Sequence, residues 1–192
     1  MIKLLSTLLL LMVPSASFAK DHADCWYYTK GHGDEKYTRH CLNFNKEKAK
    51  AEIFGDAQIA KEVALELEYD ADGLSYVRTQ VGFLYINSKG YLRKAITYDN
   101  GPDLFAEGFA RTRQGSQIGY FDKTLKIKIP AIYDFGSPFT NGVAIVCIGC
   151  VEKSDGEHNI LLGGLWGAID PNGAIVYEIK YAENEIRKLV EN

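Results

Sequence analysis

The chain has 192 residues, a formal net charge of -3 and four cysteines. Its 46% hydrophobic and 24% charged residues exclude intrinsic disorder, and its length suits one domain with a real core. Lys and Arg total 22 against 25 Asp and Glu, without a basic run, which argues against a sequence-independent grip on nucleic acid. The 18 glycines and 12 tyrosines favour many short strands joined by glycine turns, so a mainly all-β fold is expected.

Residues 1–19 are predicted to be a secretory signal peptide. Lys3 precedes an apolar run over residues 4–13, Pro14 breaks the run, and Ser17 and Ala19 occupy the two positions that a signal peptidase reads. No other stretch approaches the ~18 apolar residues of a membrane-spanning helix, so the mature protein is expected to have no membrane span. We therefore expect an exported bacterial protein, periplasmic or secreted.

In an oxidising compartment, four cysteines in a small domain predict disulfides. Three pairings are formally possible, and proximity in sequence favours Cys25 with Cys41 and Cys147 with Cys150. The first pair would close a loop of about 15 residues and stabilise the fold by roughly 3 kcal/mol.

The segment 20–80 is predicted to hold a disulfide-stapled hairpin, a short helix and a strand. Aromatic residues 25–28, a turn at 30–34 and a returning strand at 37–44 form the hairpin. Helix-forming residues 46–53 predict the helix. Alternation over residues 63–69 predicts a half-buried strand, and a turn follows at 70–73.

Residues 81–181 contain a sequence motif that occurs three times. Residues 84–90, 119–125 and 167–173 align, with displacements of 35 and 48 residues, and periods of this size mark repeat architectures. Each copy predicts a β meander that cannot bury its apolar face alone, so the copies are expected to form a small solenoid- or propeller-like stack. Residues 182–192 predict a short C-terminal helix with an ion pair between Glu183 and Arg187.

The third copy, residues 165–173, resembles the hallmark segment of WG-repeat proteins, with Trp166 and Gly167 as the namesake pair. The second copy follows the same pattern over a whole repeat, whereas the first has Phe83 and Leu84 in place of the tryptophan and glycine. The resemblance implies an all-β repeat module with interaction-type roles, and it implies no catalytic residues. The motif residues that carry it are Gly119, Tyr120, Asp122, Trp166, Gly167, Asp170 and Gly173.

Cys147 and Cys150 allow three interpretations. A thioredoxin-type pair should open a helix, and here the flanking residues lack that context. A zinc site could combine the two thiolates with His158 and Asp155 or Glu157. A structural disulfide at the root of the hairpin between Val143 and Ile169 is the favoured interpretation in an exported protein.

The aromatic residues have two possible roles. Tyr85 and Tyr120, and likewise Tyr98, Tyr133 and Tyr181, recur at repeat positions and are predicted to pack between units. Trp26, Phe83 and Tyr91 fall outside the strict repeat and are better candidates for a binding surface, and a groove lined by Trp26, Tyr27, Tyr28, Tyr91, Tyr98 and Trp166 is the alternative to packing.

These patterns predict a non-catalytic exported binding module without a cofactor or metal. Its expected partner is another envelope protein or peptide, met through a sheet edge or the hairpin between Val143 and Ile169. The alternative is a thiol redox or zinc-handling protein centred on Cys147, Cys150 and His158.

Overall fold

A computed structural model describes residues 20–31, 33–45, 58–154, 156 and 159–191. The predicted signal peptide at 1–19 and the predicted helix at 46–53 lie outside these residues. The described part is mainly β, with antiparallel strand pairs and two helices, which confirms the predicted fold class. The strands are β1 (Lys20–Tyr28), β2 (Glu35–Asn45), β3 (Gln58–Ile59), β4 (Leu74–Thr79), β5 (Gly82–Asn87), β6 (Leu92–Lys94), β7 (Thr97–Tyr98), β8 (Gly101–Pro102), β9 (Phe109–Gln114), β10 (Gln117–Asp122), β11 (Ile127–Tyr133), β12 (Phe135–Gly136), β13 (Ala144–Ser154), β14 (Asn159–Ile169) and β15 (Ile175–Tyr181).

The two helices are α1 (Lys61–Glu66) and α2 (Glu183–Glu191). Neither helix, within the part of the chain that the structure describes, is long and apolar enough to cross a membrane. Helix α2 lies where a C-terminal helix was predicted, and Arg187 pairs with Glu183 at 2.7 Å.

The N-terminal hairpin forms as predicted from β1 and β2. Trp26 lies opposite Tyr37, and the Cα atoms of Cys25 and Cys41 are 5.8 Å apart, with their sulfur atoms at disulfide distance. Both cysteines are buried in the first hydrophobic core, which we name core 1. The two strands belong to a six-stranded sheet in the order β3-β2-β1-β4-β5-β6.

The predicted strand over residues 63–69 is wrong, because α1 occupies residues 61–66. Val63 and Leu67 are buried in core 1, as the alternation required, but Leu65 between them is 73% exposed. Residues four apart lie on the same face of a helix, so the spacing of Val63 and Leu67 fits one helical turn as well as a strand. The segment is too short for periodicity to separate the two.

Three three-stranded meanders follow one another along the chain: β4-β5-β6, β9-β10-β11 and β13-β14-β15. The middle strand of each carries a copy of the repeat motif. The first strand of the second and third meanders belongs to the preceding sequence copy. Thus β9 and β13 each end one copy and pair with the motif strand of the next copy, β10 and β14. This exchange ties successive copies together by backbone hydrogen bonds. The expected boundary at 80/81 falls in the turn between β4 and β5.

The meanders pack face to face with a hydrophobic core in each gap. Core 2 lies between the first and second meanders and contains Tyr85 and Phe121; core 3 lies between the second and third and contains Tyr120 and Ile169. Core 4 lies between the third meander and α2 and contains Ile186. A middle strand with a core on both sides must be apolar on both faces, which explains its runs of consecutive apolar residues.

Candidate functional site

The turn after each motif strand is held by one acidic or amide side chain. Asp122 and Asp170 each accept the backbone N–H groups of the residues two and four positions later, at 2.8 to 3.3 Å. Asn87 makes the same two bonds in the first copy. The N–H groups of Ala174 and Asn172 lower the pKa of Asp170 below its usual value. An Asp or Asn at the end of each motif strand therefore closes the turn through its side chain.

The same turn occurs a fourth time at Asp70, within the turn predicted at residues 70–73. Asp70 accepts the N–H groups of Asp72 and Leu74 at 2.9 and 2.8 Å. The fourth residue of each turn has a left-handed backbone, and these residues are Gly73, Gly90, Leu125 and Gly173. Asp70 and Gly73 occupy the first and fourth positions of this turn and could have indicated it from sequence, but no strand with the repeat motif precedes Asp70.

Gly119 and Gly167 sit where the neighbouring strand crosses too closely for any side chain. A Cβ atom at Gly119 would lie 2.6 Å from the carbonyl oxygen of Ile129, and one at Gly167 would lie 2.6 Å from that of Tyr177. At both places the strand pairing shifts register. In the first copy Leu84 replaces the glycine, and β5 and β6 pair without a shift. The motif glycine therefore corresponds to a close, bulged strand crossing.

Tyr120 joins its unit to the next one. Its ring is buried in core 3, its hydroxyl donates to the carbonyl oxygen of Ser137 at 2.8 Å, and burial raises its pKa well above the usual value. Tyr85 donates in the same way to the carbonyl oxygen of Asp103, and burial raises its pKa to about 12. The predicted packing role is confirmed for these two residues, whereas Tyr98 is 66% exposed.

The aromatic residues do not line one groove. Phe83, expected at a binding surface, is buried, and so are Tyr27 and Trp166. Tyr91 is 62% exposed. Trp26 is partly exposed and packs in a row across three strands, with the Tyr37 ring 5.0 Å away on one side and the Arg78 guanidinium 4.9 Å away on the other. Neighbouring strands therefore already cover both faces of its ring.

Cys147 and Cys150 form the root of the long hairpin made by β13 and β14. Their Cα atoms are 6.1 Å apart and their sulfur atoms lie at disulfide distance. Both cysteines are buried in core 4 beside Trp166, the residue directly opposite Cys147. They lie within a strand, so the helix N-terminus that lowers a thiol pKa in redox enzymes is not part of this site.

In the zinc interpretation, His158 and either Asp155 or Glu157 would complete the site, and these three residues lie outside the described part of the chain. Within that part, no group of three or more His, Cys, Asp and Glu side chains is close enough to hold a metal ion.

Three glycines change the direction in which the hairpin side chains point. In a regular strand, residues three apart point to opposite sides, yet Cys147 and Cys150 both reach core 4. Gly149 on β13, and Gly163 and Gly164 on β14, have left-handed φ values of 80°, 70° and 74°, which interrupt the regular alternation in both strands. A Cβ atom at Gly164 would lie 2.5 Å from the sulfur of Cys147, so this position also admits only glycine.

The bend places five aliphatic side chains on the side away from core 4. Ile148 and Val151 each directly follow a cysteine that points into core 4, so their own side chains point outward. Leu165 and Leu162 lie opposite them on β14 and share their face. Ile160 lies opposite Lys153, two residues further out. We name these residues the outer face, and they are 40% to 64% exposed: Ile148, Val151, Ile160, Leu162 and Leu165.

The sequence did not indicate the buried ion pair between Arg111 and Asp103. The guanidinium of Arg111 binds the carboxylate of Asp103 and donates to the carbonyl oxygen of Gly136 at 3.1 Å. In the second copy Ser137 and Ile145 take these places, and the Ser137 hydroxyl accepts the N–H of Ile145 at 2.9 Å. Because only one copy has charged residues here, the repeat alignment gave no signal for the pair.

Stacked antiparallel meanders with one recurring turn and one recurring glycine crossing define a β-repeat protein. Residues 118–149, which run from β10 through the bend at Gly149, match the family model of the WG containing repeat. This match supports the predicted resemblance to WG-repeat proteins. The comparison with curated proteins finds no match, and neither does the comparison with solved structures.

Proposed function

We propose that this protein is a non-catalytic binding module that holds another polypeptide of the bacterial envelope against the outer face of the β13–β14 hairpin. The observation that carries the proposal is the group of five exposed aliphatic side chains on one side of the β13–β14 hairpin. Contiguous apolar patches of several hundred Å² on soluble proteins commonly mark interaction sites.

The scaffold beneath the outer face supports this role. The Cys147–Cys150 pair, the Phe135 ring 5.3 Å from the Trp166 ring, and the indole N–H of Trp166 bonded to the carbonyl oxygen of Gly163 at 3.0 Å all lie at the hairpin root. A surface that is ordered before binding loses less conformational entropy on association.

Export is part of the proposal. Four cysteines in two pairs at disulfide distance suit an oxidising compartment, and the pattern of residues 1–19 is that of a secretory signal. The proposal that the protein has no catalytic activity is supported by the WG-repeat resemblance, which implies no catalytic residues. No described residue favours the thiol or zinc alternative, so we do not propose it.

Site-specific photo-crosslinking in intact cells tests the proposal. A benzophenone side chain replaces Val151 on the outer face or, as the control, Leu65 on α1, which is 73% exposed. We expect a discrete adduct with a polypeptide from position 151 and none from position 65. Equal patterns at the two positions, or no adduct at either, would overturn the proposed function.

A further inference from the structure

We infer that the polypeptide seated on the outer face is a second copy of this chain, packed in antiparallel orientation about a two-fold axis so that Lys153 of each copy meets Asp134 of the other. This inference rests on the proposed function, because it names the occupant of the same surface.

Two side chains of opposite charge, Lys153 and Asp134, lie at the two ends of the outer face. Lys153 lies at the distal end, opposite Ile160 and near the hairpin tip. Asp134 lies at the proximal end, where its N–H donates to the carbonyl oxygen of Cys147 at 2.9 Å and its carboxylate accepts the N–H of Gly149 at 2.6 Å. Asp134 directly precedes β12, and its carboxylate contacts Gly149, the residue after Ile148, which places it next to the proximal end of the outer face.

A two-fold axis makes this arrangement self-complementary. In an isologous contact the same surface serves both partners, and antiparallel packing brings the distal end of one hairpin over the proximal end of the other. The aliphatic side chains then meet at the centre, and an ion pair between Lys153 and Asp134 closes each end. Parallel packing would instead place like charges together, which is unfavourable.

The size of the surface fits a weak, reversible dimer. Five half-exposed aliphatic side chains expose roughly 450 Å², as large as the largest apolar patch on an ordinary monomer. Two such faces and their polar rims would bury about 1,200 Å², the lower end of specific interfaces, where weak and transient contacts are found.

Sedimentation velocity of the purified full-length secreted chain tests the inference directly. We expect a reversible monomer–dimer equilibrium between about 1 and 200 μM, lost in Val151→Asp and retained in Leu65→Asp, the exposed control. A wild-type chain that stays monomeric over this range would overturn the inference. If position 151 still crosslinks to another polypeptide in cells, the proposed function survives that result; if it does not, both fail.

Charge reversal tests the orientation. We expect Lys153→Asp and Asp134→Lys each to weaken the dimer about tenfold or more, and the double variant to recover most of the affinity because the pair is restored with opposite sign. Lys89→Asp, in the exposed turn after β5, is the control. Thermal unfolding identifies any loss of fold from the Gly149 contact of Asp134. Failure of the double variant to bind better than both single variants would exclude the antiparallel arrangement.

Discussion

Replacing either motif glycine by alanine should destabilise the protein because a strand backbone blocks the new methyl group. In Gly119→Ala, the Cβ atom would lie 2.6 Å from the Ile129 carbonyl oxygen and 2.7 Å from the Ala131 nitrogen. Ordinary contact begins near 3.4 Å, so β11 must move away by about 0.8 Å. Ile129 and Tyr120 face each other across this crossing and both belong to core 3, so the movement also disturbs their packing.

The expected loss is about 2 kcal/mol for Gly119→Ala, since a clash with backbone atoms belongs at the upper end of overpacking costs, about 3 kcal/mol, and alanine recovers up to about 1 kcal/mol by restricting the unfolded chain. Gly167→Ala should behave alike, with its clash at Tyr177. In thermal unfolding, such a loss corresponds to a midpoint lowered by roughly 4–8 °C. Gly101→Ala is the control, because its Cβ atom would meet only the Tyr98 carbonyl oxygen at 3.8 Å. Motif variants as stable as this control would refute the close-crossing explanation.

Three further substitutions test other turns and crossings. Gly164→Ala should cost about 2 kcal/mol more than Gly163→Ala in urea unfolding, because both positions have left-handed φ values but only Gly164 meets the sulfur of Cys147; equal losses would contradict this. Leu125→Gly should lower the stability by about 2 kcal/mol in thermal unfolding, because losing the buried Leu125 side chain costs more than the 1–2 kcal/mol of left-handed backbone strain that glycine relieves. A more stable variant would refute this comparison of the two effects. Asp170→Asn should flatten the pH dependence of stability below about pH 4. The folded pKa of Asp170 is depressed, so its contribution to stability is complete above the unfolded value of 3.8 and is lost as the pH falls through the folded pKa. An unchanged loss of stability in acid would contradict this.

The repeat could be predicted from sequence because its turn and strand residues act locally. Asp122 and Asp170 bond to backbone groups within four residues, so their identity and spacing contain the whole turn. Leu84 departs from the motif glycine, and at this position β5 and β6 pair regularly without a bulge. That difference depends on how β6 crosses β5, which residues near Leu84 do not indicate.

The outer face could not be predicted from periodicity. Alternation places Ile148 and Val151 on opposite sides of a strand, and the left-handed φ values at Gly149, Gly163 and Gly164 bring them together. Asp134 joins this surface through β12, a two-residue strand that the sequence pattern did not indicate. Both features depend on backbone geometry at glycines and on strand pairing between segments distant in sequence.

The ambiguity at α1 has a different cause. Val63 and Leu67 are apolar at a spacing that both a strand and a helix satisfy, and tertiary packing against core 1 decides between them. The exposed Leu65 shows which periodicity the chain follows.

Hydroxyl-radical footprinting of the protein in its native envelope fraction tests most directly whether a polypeptide covers the outer face. The account predicts that Val151, Leu162 and Leu165 are labelled several-fold less there than in dilute purified protein, while the exposed controls Leu65 and Leu104 are labelled equally in both. Labelling of the outer face as complete in the envelope fraction as in the dilute protein would contradict it.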